Sequence, residues 1–258
     1  MSIRPEDSAV PEDVTRDHYD RLAATYDENW AYSPDFLEWM TGCILRRLRV
    51  TDGDVTADIG CGTGLFARGL ARHAAAVVCA EPSAAMLAQV PAGERLIPVG
   101  ASAEDLAAGR VALPHDAYDA MLLKEVLHHV TDRAAVIAGL TRLLRPGGRM
   151  LVVMLPTRIS YPLFVAALEL FTDRQPDPVG VADEMHSASL DVELTYEGFP
   201  LSFPTERYLG MVRNRYMSLL SAFDDAQLEA GVAEIRRAHP GEQVAFTATF
   251  AFVLGTAA

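Results

Sequence analysis

The chain has 258 residues, which suits one domain of α/β size with or without a cap. Half of the residues are hydrophobic, which excludes a disordered chain, and the net charge of −13 argues against nucleic acid as the principal partner, because a phosphate backbone favours a basic surface. The three scattered cysteines indicate no disulfide framework, and there is neither a signal peptide nor an apolar run long enough to span a bilayer, so we expect a cytoplasmic protein without membrane contact.

The N-terminal part of the chain divides into two stretches. Residues 1–16 are polar and contain prolines, and we expect them to be a flexible lead-in. Apolar residues then recur at helical spacing over residues 17–50, with an interruption near the letters YSPD. This second stretch is therefore predicted to be helical.

Short apolar strands alternate with helices over residues 51–155. Strands are predicted in the stretches DVTADIG, AVVCAEP, RLIPVG, YDAMLLK and RMLVVML, each of the first four followed by a helical pattern. The fourth helix is expected to be closed by RPGG at 145–148, because proline cannot continue a helix and glycine adopts positive φ. The alternation predicts parallel βαβ units in a doubly wound sheet.

The regular alternation of short strands and helices stops over residues 156–258. We expect a helix over 161–171, a loop rich in proline and aspartate over 172–187, and a strand bent at Gly198 and Pro200. Two helices over 206–223 and 225–239 and a final alternating strand follow. This region is predicted to add two strands and helical insertions that form an acceptor pocket.

The stretch ADIGCGTGLF carries the first indication of a ligand. Gly60, Gly62 and Gly64 lie between a strand and a helix, where the backbone can approach a ligand closely. The carboxylate of Asp58 just before them is unfavourable beside a pyrophosphate and favourable beside an ammonium or sulfonium group. Glu81 follows Gly60 by 21 residues, the offset at which an acid accepts hydrogen bonds from ribose. Asp58 bracing the loop and Glu81 as an ordinary strand-end acid remain the alternatives; otherwise the ligand is a nucleoside with a cationic, amino-acid-like arm.

Five stretches, DIGCGTG, AEPSAAML, ASAEDL, YDAMLLKEVLHHV and LLRPGGRMLVV, together resemble the class I S-adenosylmethionine-dependent methyltransferases. The resemblance is greatest to the small-molecule branch that includes ubiquinone/menaquinone and trans-aconitate methyltransferases, and it covers about residues 19–155. It implies a Rossmann-like sheet of seven strands, mostly parallel with the last antiparallel. It also implies a single domain over 17–258, with a helical lid at 17–50, a cofactor core at 51–155 and an acceptor region at 156–258.

The resemblance further implies a methyl donor and the residues that hold it. The donor is S-adenosyl-L-methionine, which leaves as S-adenosyl-L-homocysteine, and the acceptor is a small molecule bound by a monomer or homodimer. Ser102 stands where the family commonly has aspartate, and Lys124 is expected to contact the donor through its backbone, with its side chain pointing away or paired with Glu125. The implied cofactor-binding residues are Tyr19, Tyr26, Asp58, Gly60, Cys61, Gly62, Gly64, Glu81, Pro82, Met86, Ser102, Ala103, Glu104, Lys124 and His129.

Two adjacent histidines follow the fourth strand, and the resemblance brings them beside the methyl group. His128 is the preferred general base and His129 the second candidate, although packing alone is the alternative for both. The histidines and acids nearby lack a reliable ligand spacing, so no metal site is predicted. Candidate acceptor-binding residues are Trp30, Tyr161, Arg213, Arg215 and Tyr216. Three rival functions remain: a cofactor-binding enzyme of non-methylating chemistry such as cyclisation, a non-catalytic partner subunit, and a nicotinamide oxidoreductase, which Asp58 disfavours.

Overall fold

The computed structural model describes residues 33–91 and 93–258. The helices are α1 (Pro34–Leu48), α2 (Ala67–Leu70), α3 (Ala84–Leu87), α4 (Ala103–Ala107), α5 (Arg133–Thr141), α6 (Val165–Arg174), α7 (Pro178–Ser187), α8 (Thr205–Arg213) and α9 (Asp225–Ala238). Short 3₁₀ turns span Leu127–His129 and Ser218–Ala222. The strands are β1 (Val55–Ile59), β2 (Ala76–Ala80), β3 (Leu96–Val99), β4 (Tyr118–Lys124), β5 (Leu144–Met154), β6 (Leu190–Pro204) and β7 (Gln243–Ala257). The lead-in and the predicted site residues Tyr19, Tyr26 and Trp30 lie outside the described residues.

The strands form one sheet in the order β3-β2-β1-β4-β5-β7-β6. Pairing is parallel from β3 through β5, and β7 runs antiparallel to both β5 and β6. The predicted seven-stranded, doubly wound sheet with an antiparallel last strand is therefore confirmed. Chain order reverses between β1 and β4, which makes their carboxyl ends the place where open α/β sheets bind ligands.

Helices cover both faces of the sheet, because alternate residues of a strand point to opposite sides. In β4, Ala120 and Leu122 pack on the side that holds α1, α6, α8 and α9, which we call the α1 face. Met121 and Leu123 pack on the other side, with α4, α5 and α7. Nearly every residue of β1, β2 and β4 is buried, as expected of strands sandwiched between two helical layers.

The prediction that RPGG ends a helix was wrong in its detail. Helix α5 ends at Thr141, and residues 145–148 already belong to β5. Gly147 has φ +74°, and a Cβ on Gly148 would lie 2.7 Å from the carbonyl oxygen of Arg145. The two glycines thus allow the chain to follow an irregular stretch of β4–β5 pairing. The register of that pairing shifts between Tyr118 and Ala120.

One expectation in the C-terminal third was also wrong. Most of the stretch expected as a loop over 172–187 is helix α7, with Pro178 in its first turn and Asp177 as N-cap, accepting a hydrogen bond from the amide of Val179 (3.2 Å). The pairing of strand β6 with β7 runs without interruption past Gly198 and Pro200, where a bend was expected. Proline is tolerated there because β6 is an edge strand.

Two predicted helices have different bounds. Helix α6 begins at Val165, four residues later than expected, and the helix predicted over 206–223 is divided into α8 and a 3₁₀ turn. Arg215, between the two pieces, has φ +53°, which ends the first helix. Across the described part of the chain, no helix combines the length and apolar character needed to cross a membrane.

Candidate functional site

The glycine loop connects β1 to α2 and bends three times through left-handed backbone. Gly60, Gly62 and Gly64 have φ values of +69°, +56° and +76°. The amides of Gly60 and Cys61 donate to the carbonyl oxygen of Ala80 at 2.8 and 3.1 Å, which ties the loop to the end of β2. The loop is therefore a fixed backbone cradle at the carboxyl edge of the sheet.

Glu81, directly after β2, is held by two backbone donors. The amide of Gly62 donates to its Oε2 (3.1 Å) and the amide of Ser83 to its Oε1 (2.9 Å). The residue is 8% exposed, so its carboxylate lies almost entirely within the protein. These bonds fix the orientation of Glu81 against the loop, as its predicted role in binding ribose requires.

Asp58 lies at the end of β1 and is almost fully buried. Burial raises its pKa to about 7; Lys124 opposes this rise, Glu81 adds to it, and a hydrogen bond from the backbone of Ala67 again opposes it. A carboxylate whose ionisation is this finely balanced gains most from a cationic ligand, because a nearby positive charge favours the charged form. Asp58 therefore fits a ligand with a positive charge.

The side chain of Lys124, the last residue of β4, lies on the α1 face of the sheet. It follows Ala120 and Leu122 on the α1 face, and its Nζ lies 4.9 Å from the ring centroid of Phe66 and 5.7 Å from that of Phe250. It makes no ion pair with Glu125, contrary to one of the two expectations for its side chain. Burial lowers the pKa of Lys124, and the nearby carboxylates of Glu125 and Asp58 partly counter that effect.

The segment after β4 brings a carboxylate and two imidazoles together. Glu125 has φ +56°, and its Oε2 lies 4.0 Å from Nδ1 of His128. The rings of His128 and His129 are 3.9 Å apart between centroids. Burial, and secondarily the charge of Lys124, lowers the pKa of His128 to about 4, which favours the neutral imidazole at pH 7.

Glu125 is a site residue that the sequence interpretation treated only as a partner for Lys124. Burial raises its pKa to about 7, with Lys124 and the backbone of Leu155 acting in the opposite direction. Its Oε1 is buried and has no hydrogen-bond partner within the described part of the chain. The signal in the sequence was an acidic residue next to Lys124, directly after the apolar run at 120–123.

The residues predicted to surround adenine follow β2 and β3. Met86 is buried and Pro82 is exposed. Ser102 is the N-cap of α4: its Oγ accepts from the amide of Asp105 (3.1 Å), and the Asp105 carboxylate accepts from the amide of Ser102 (3.2 Å). Ser102, which stands where the resembled family commonly has aspartate, thus stabilises the first turn of α4. Ala103 and Glu104 follow it in that turn, which is predicted to face the adenine.

The predicted acceptor-binding residues of the C-terminal third are placed differently from one another. Tyr161 is buried against Phe246, with ring centroids 4.8 Å apart, and the hydroxyl of Tyr216 lies 3.1 Å from that of Tyr208. Arg213 donates to both carboxylate oxygens of Glu229, at 2.7 and 3.1 Å, and Arg215 donates to Asp225 at 2.8 Å. Both arginines are thus paired with acids of α9, and their role in binding the acceptor stays a prediction.

The residues of the cradle match a known family. The family described as a methyltransferase domain matches residues 57–152. A ubiquinone biosynthesis O-methyltransferase of Xanthomonas oryzae pv. oryzae strain PXO99A is 34% identical over 118 residues, which cover 43% of this chain and 48% of that protein. The chain thus spans about half the length of the curated relatives it matches.

Solved structures extend the likeness in fold beyond this core. The [4+2]-cyclase SpnF superposes with a TM-score of 0.65 at 16% identity, covering 98% of this chain and 99% of that chain. Phosphoethanolamine N-methyltransferase 2 of Haemonchus contortus, in complex with S-adenosyl-L-methionine, gives a TM-score of 0.59 at 17% identity, covering 94% of this chain and 59% of that chain. At these identities the likeness concerns the fold alone. Residues 57–152 of the chain therefore match the methyltransferase domain family in sequence, and the sheet as a whole has the fold of the solved structures named above.

Proposed function

We propose that this protein transfers a methyl group from S-adenosyl-L-methionine to oxygen or carbon of a small organic metabolite. The observation that carries the proposal is the pair of acids beside the glycine cradle. Asp58 is buried where a positive charge would favour its ionised form, and Glu81 is oriented by the amides of Gly62 and Ser83. A nucleoside with a cationic arm satisfies both.

The residues present fit this cofactor. The backbone of Gly60, Cys61, Gly62 and Gly64 would hold its methionine part, with Asp58 beneath the positive charge. Glu81 would accept hydrogen bonds from the ribose, and Met86, Pro82 and the stretch 102–104 would enclose adenine. When bound, the cofactor supplies an electrophilic methyl group on a sulfonium.

The chain's own contribution to the reaction is positioning and proton transfer. Much of the rate of methyl transfer can come from holding the acceptor in line with the methyl group, in a near-attack geometry. His128, neutral at pH 7, would take the proton of an acceptor hydroxyl or acidic C–H on Nε2, since Nδ1 faces Glu125 at 4.0 Å. Glu125 would then stabilise the imidazolium that forms. His129, stacked on His128, is the second candidate base and a cofactor contact.

The small-molecule acceptor is supported by the acidic composition of the chain and by its relatives. The relatives that match the core are named ubiquinone biosynthesis O-methyltransferases, which act on small molecules by that description. Since the match covers only about half of those proteins, the acceptor itself is left at the level of a small organic metabolite with a hydroxyl or an acidic C–H.

The test is incubation of the purified chain with trideuteromethyl-labelled S-adenosylmethionine and a small-molecule extract of its host, followed by mass spectrometry. A metabolite that gains one labelled methyl group supports the proposal, and Glu81→Ala serves as the control with impaired cofactor binding. A metabolite rearranged without a change of mass would establish the non-methylating alternative, for which the cyclase of like fold is the precedent. Binding of NAD but not of S-adenosylhomocysteine in calorimetry would overturn the cofactor assignment.

A further inference from the structure

The candidate site contains an ammonium group that contacts no oxygen atom of the described residues. Lys124, which carries it, is the only lysine in the sequence. Within residues 33–91 and 93–258, no oxygen accepts a hydrogen bond from its Nζ, and no carboxylate lies at ion-pair distance. The residue is half-buried, so it is partly enclosed by protein and partly exposed to solvent.

Aromatic rings surround this ammonium on the α1 face. Phe66, two residues beyond the glycine loop, and Phe250 of β7 lie 4.9 and 5.7 Å from Nζ. Phe250 also packs on Trp39 of α1, at 6.2 Å between ring centroids, and Trp39 packs on Phe199 at 5.2 Å. The ammonium therefore stands at the end of an apolar, aromatic wall, with its three donors directed at no acceptor in the described part of the chain.

The ammonium of Lys124 would be stabilised by an anionic group that accepts its hydrogen bonds. Ring faces attract a cation but accept no N–H hydrogen bond comparable to one from a carboxylate, and removing an ammonium from water is unfavourable unless it is paired. Asp58 and Glu125 influence Lys124 only through longer-range electrostatics. The contact that would complete the site is thus an oxyanion that enters with a ligand.

Resting on the proposed function, we propose that Lys124 binds an anionic group of the methyl acceptor, a carboxylate or an oxyanion, whose apolar body lies against the partly exposed ring of Phe66. The cofactor's own carboxylate is the other source of such a group. Asp58 argues against it, because its carboxylate, which acts on Lys124 through longer-range electrostatics, attracts the cationic part of the cofactor and repels the cofactor's carboxylate. The acceptor is accordingly an organic anion rather than a neutral or cationic molecule.

The uniqueness of Lys124 gives a direct experiment. In protein prepared with ¹³C-labelled lysine and saturated with S-adenosylhomocysteine, one Cε signal reports this side chain. Benzoate should shift that signal saturably, whereas neutral benzamide should leave it in place. Lys124→Met should weaken benzoate binding by about 10- to 100-fold, the loss of a charge-assisted hydrogen bond, while Lys124→Arg retains most of it.

The outcomes separate this inference from the proposed function. Failure of the wild-type chain to bind S-adenosylhomocysteine in calorimetry would refute the cofactor assignment. If that ligand binds but benzoate leaves the Cε signal unmoved, or benzamide moves it equally, the role of Lys124 is overturned. It is likewise overturned if Lys124→Met weakens S-adenosylhomocysteine and spares benzoate, which would assign the ammonium to the cofactor's carboxylate. Because the Cε signal of the labelled wild-type protein is enough to support or overturn this role, misfolding of the variant would not block the test.

Discussion

Val126 packs directly against Gly60: a Cβ built on the glycine would lie 2.5 Å from Cγ2 of the valine. Gly60 belongs to the cradle and Val126 to the segment that carries His128. The glycine loop and the turn that carries His128 are therefore in contact, so a larger residue at Gly60 would have to displace Val126.

Gly60→Ala should destabilise the protein by about 2–4 kcal/mol, combining the cost of a non-glycine residue at φ +69° with overpacking against Val126. Denaturant unfolding measures the loss. Adding Val126→Ala should recover the overpacking part but not the backbone part. Gly53→Ala is the matched control, since Gly53 is exposed and its Cβ would meet nothing within 4 Å. Equal losses for Gly53→Ala and Gly60→Ala would contradict the packing argument.

Glu81→Ala should weaken S-adenosylhomocysteine binding by about 1–3 kcal/mol, because it removes both the proposed ribose acceptor and the acceptor of the Gly62 amide. Isothermal titration calorimetry measures the change. Glu169→Ala, on the exposed side of α6, controls for the loss of one negative charge. Unchanged affinity in Glu81→Ala would refute the ribose role.

His128→Gln should lower turnover about 10²–10⁴-fold with S-adenosylhomocysteine affinity retained, if His128 is the general base. The exposed His73→Gln is the control. Histidine ¹⁵N signals should show His128 neutral from pH 8 down to about pH 5, since burial lowers its pKa to about 4. Near-normal turnover would reduce His128 to a packing role, and a larger loss in His129→Gln would transfer the function to its neighbour.

Asp58→Asn should change how stability depends on pH. The folded-state pKa of Asp58 is raised to about 7, so between about pH 4 and pH 7 the native state keeps a proton that the unfolded chain has lost. Wild-type stability should therefore fall relative to Asp58→Asn as pH rises through this window, by up to about 4 kcal/mol. Melting curves of both proteins measure the difference. A gap that is constant from pH 4 to pH 8 would show that Asp58 ionises normally.

Local pattern was enough to predict the part of the fold that repeats. Strand β4 begins at Tyr118 and ends at Lys124 as predicted, because a short apolar run flanked by polar residues is typical of a buried strand. Helix α7 was missed, since Pro178 suggests a helix breaker in the sequence although proline is favoured in a first helical turn. The uninterrupted pairing of β6 could not be predicted locally, because its partner β7 lies some forty residues further along the chain.

The site shows the same division. The donor side could be predicted from spacing, since glycines and acids at strand ends are ordered by the sheet itself. The direction of the Lys124 side chain could not, because it depends on Phe250, which only the last strand supplies. Nor could the pairing of Arg213 with Glu229, which requires the relative placement of α8 and α9.

The insertion of β7 between β5 and β6 has a consequence for biosynthesis. A ribosome delivers β6 well before β7, yet β6 has no neighbour in the sheet until β7 arrives. The nascent chain therefore carries an unused β5 edge and a fifteen-residue strand awaiting its partner, both open to pairing with other chains. Slow translation of the last segment, or its removal, should yield aggregation rather than a smaller working enzyme.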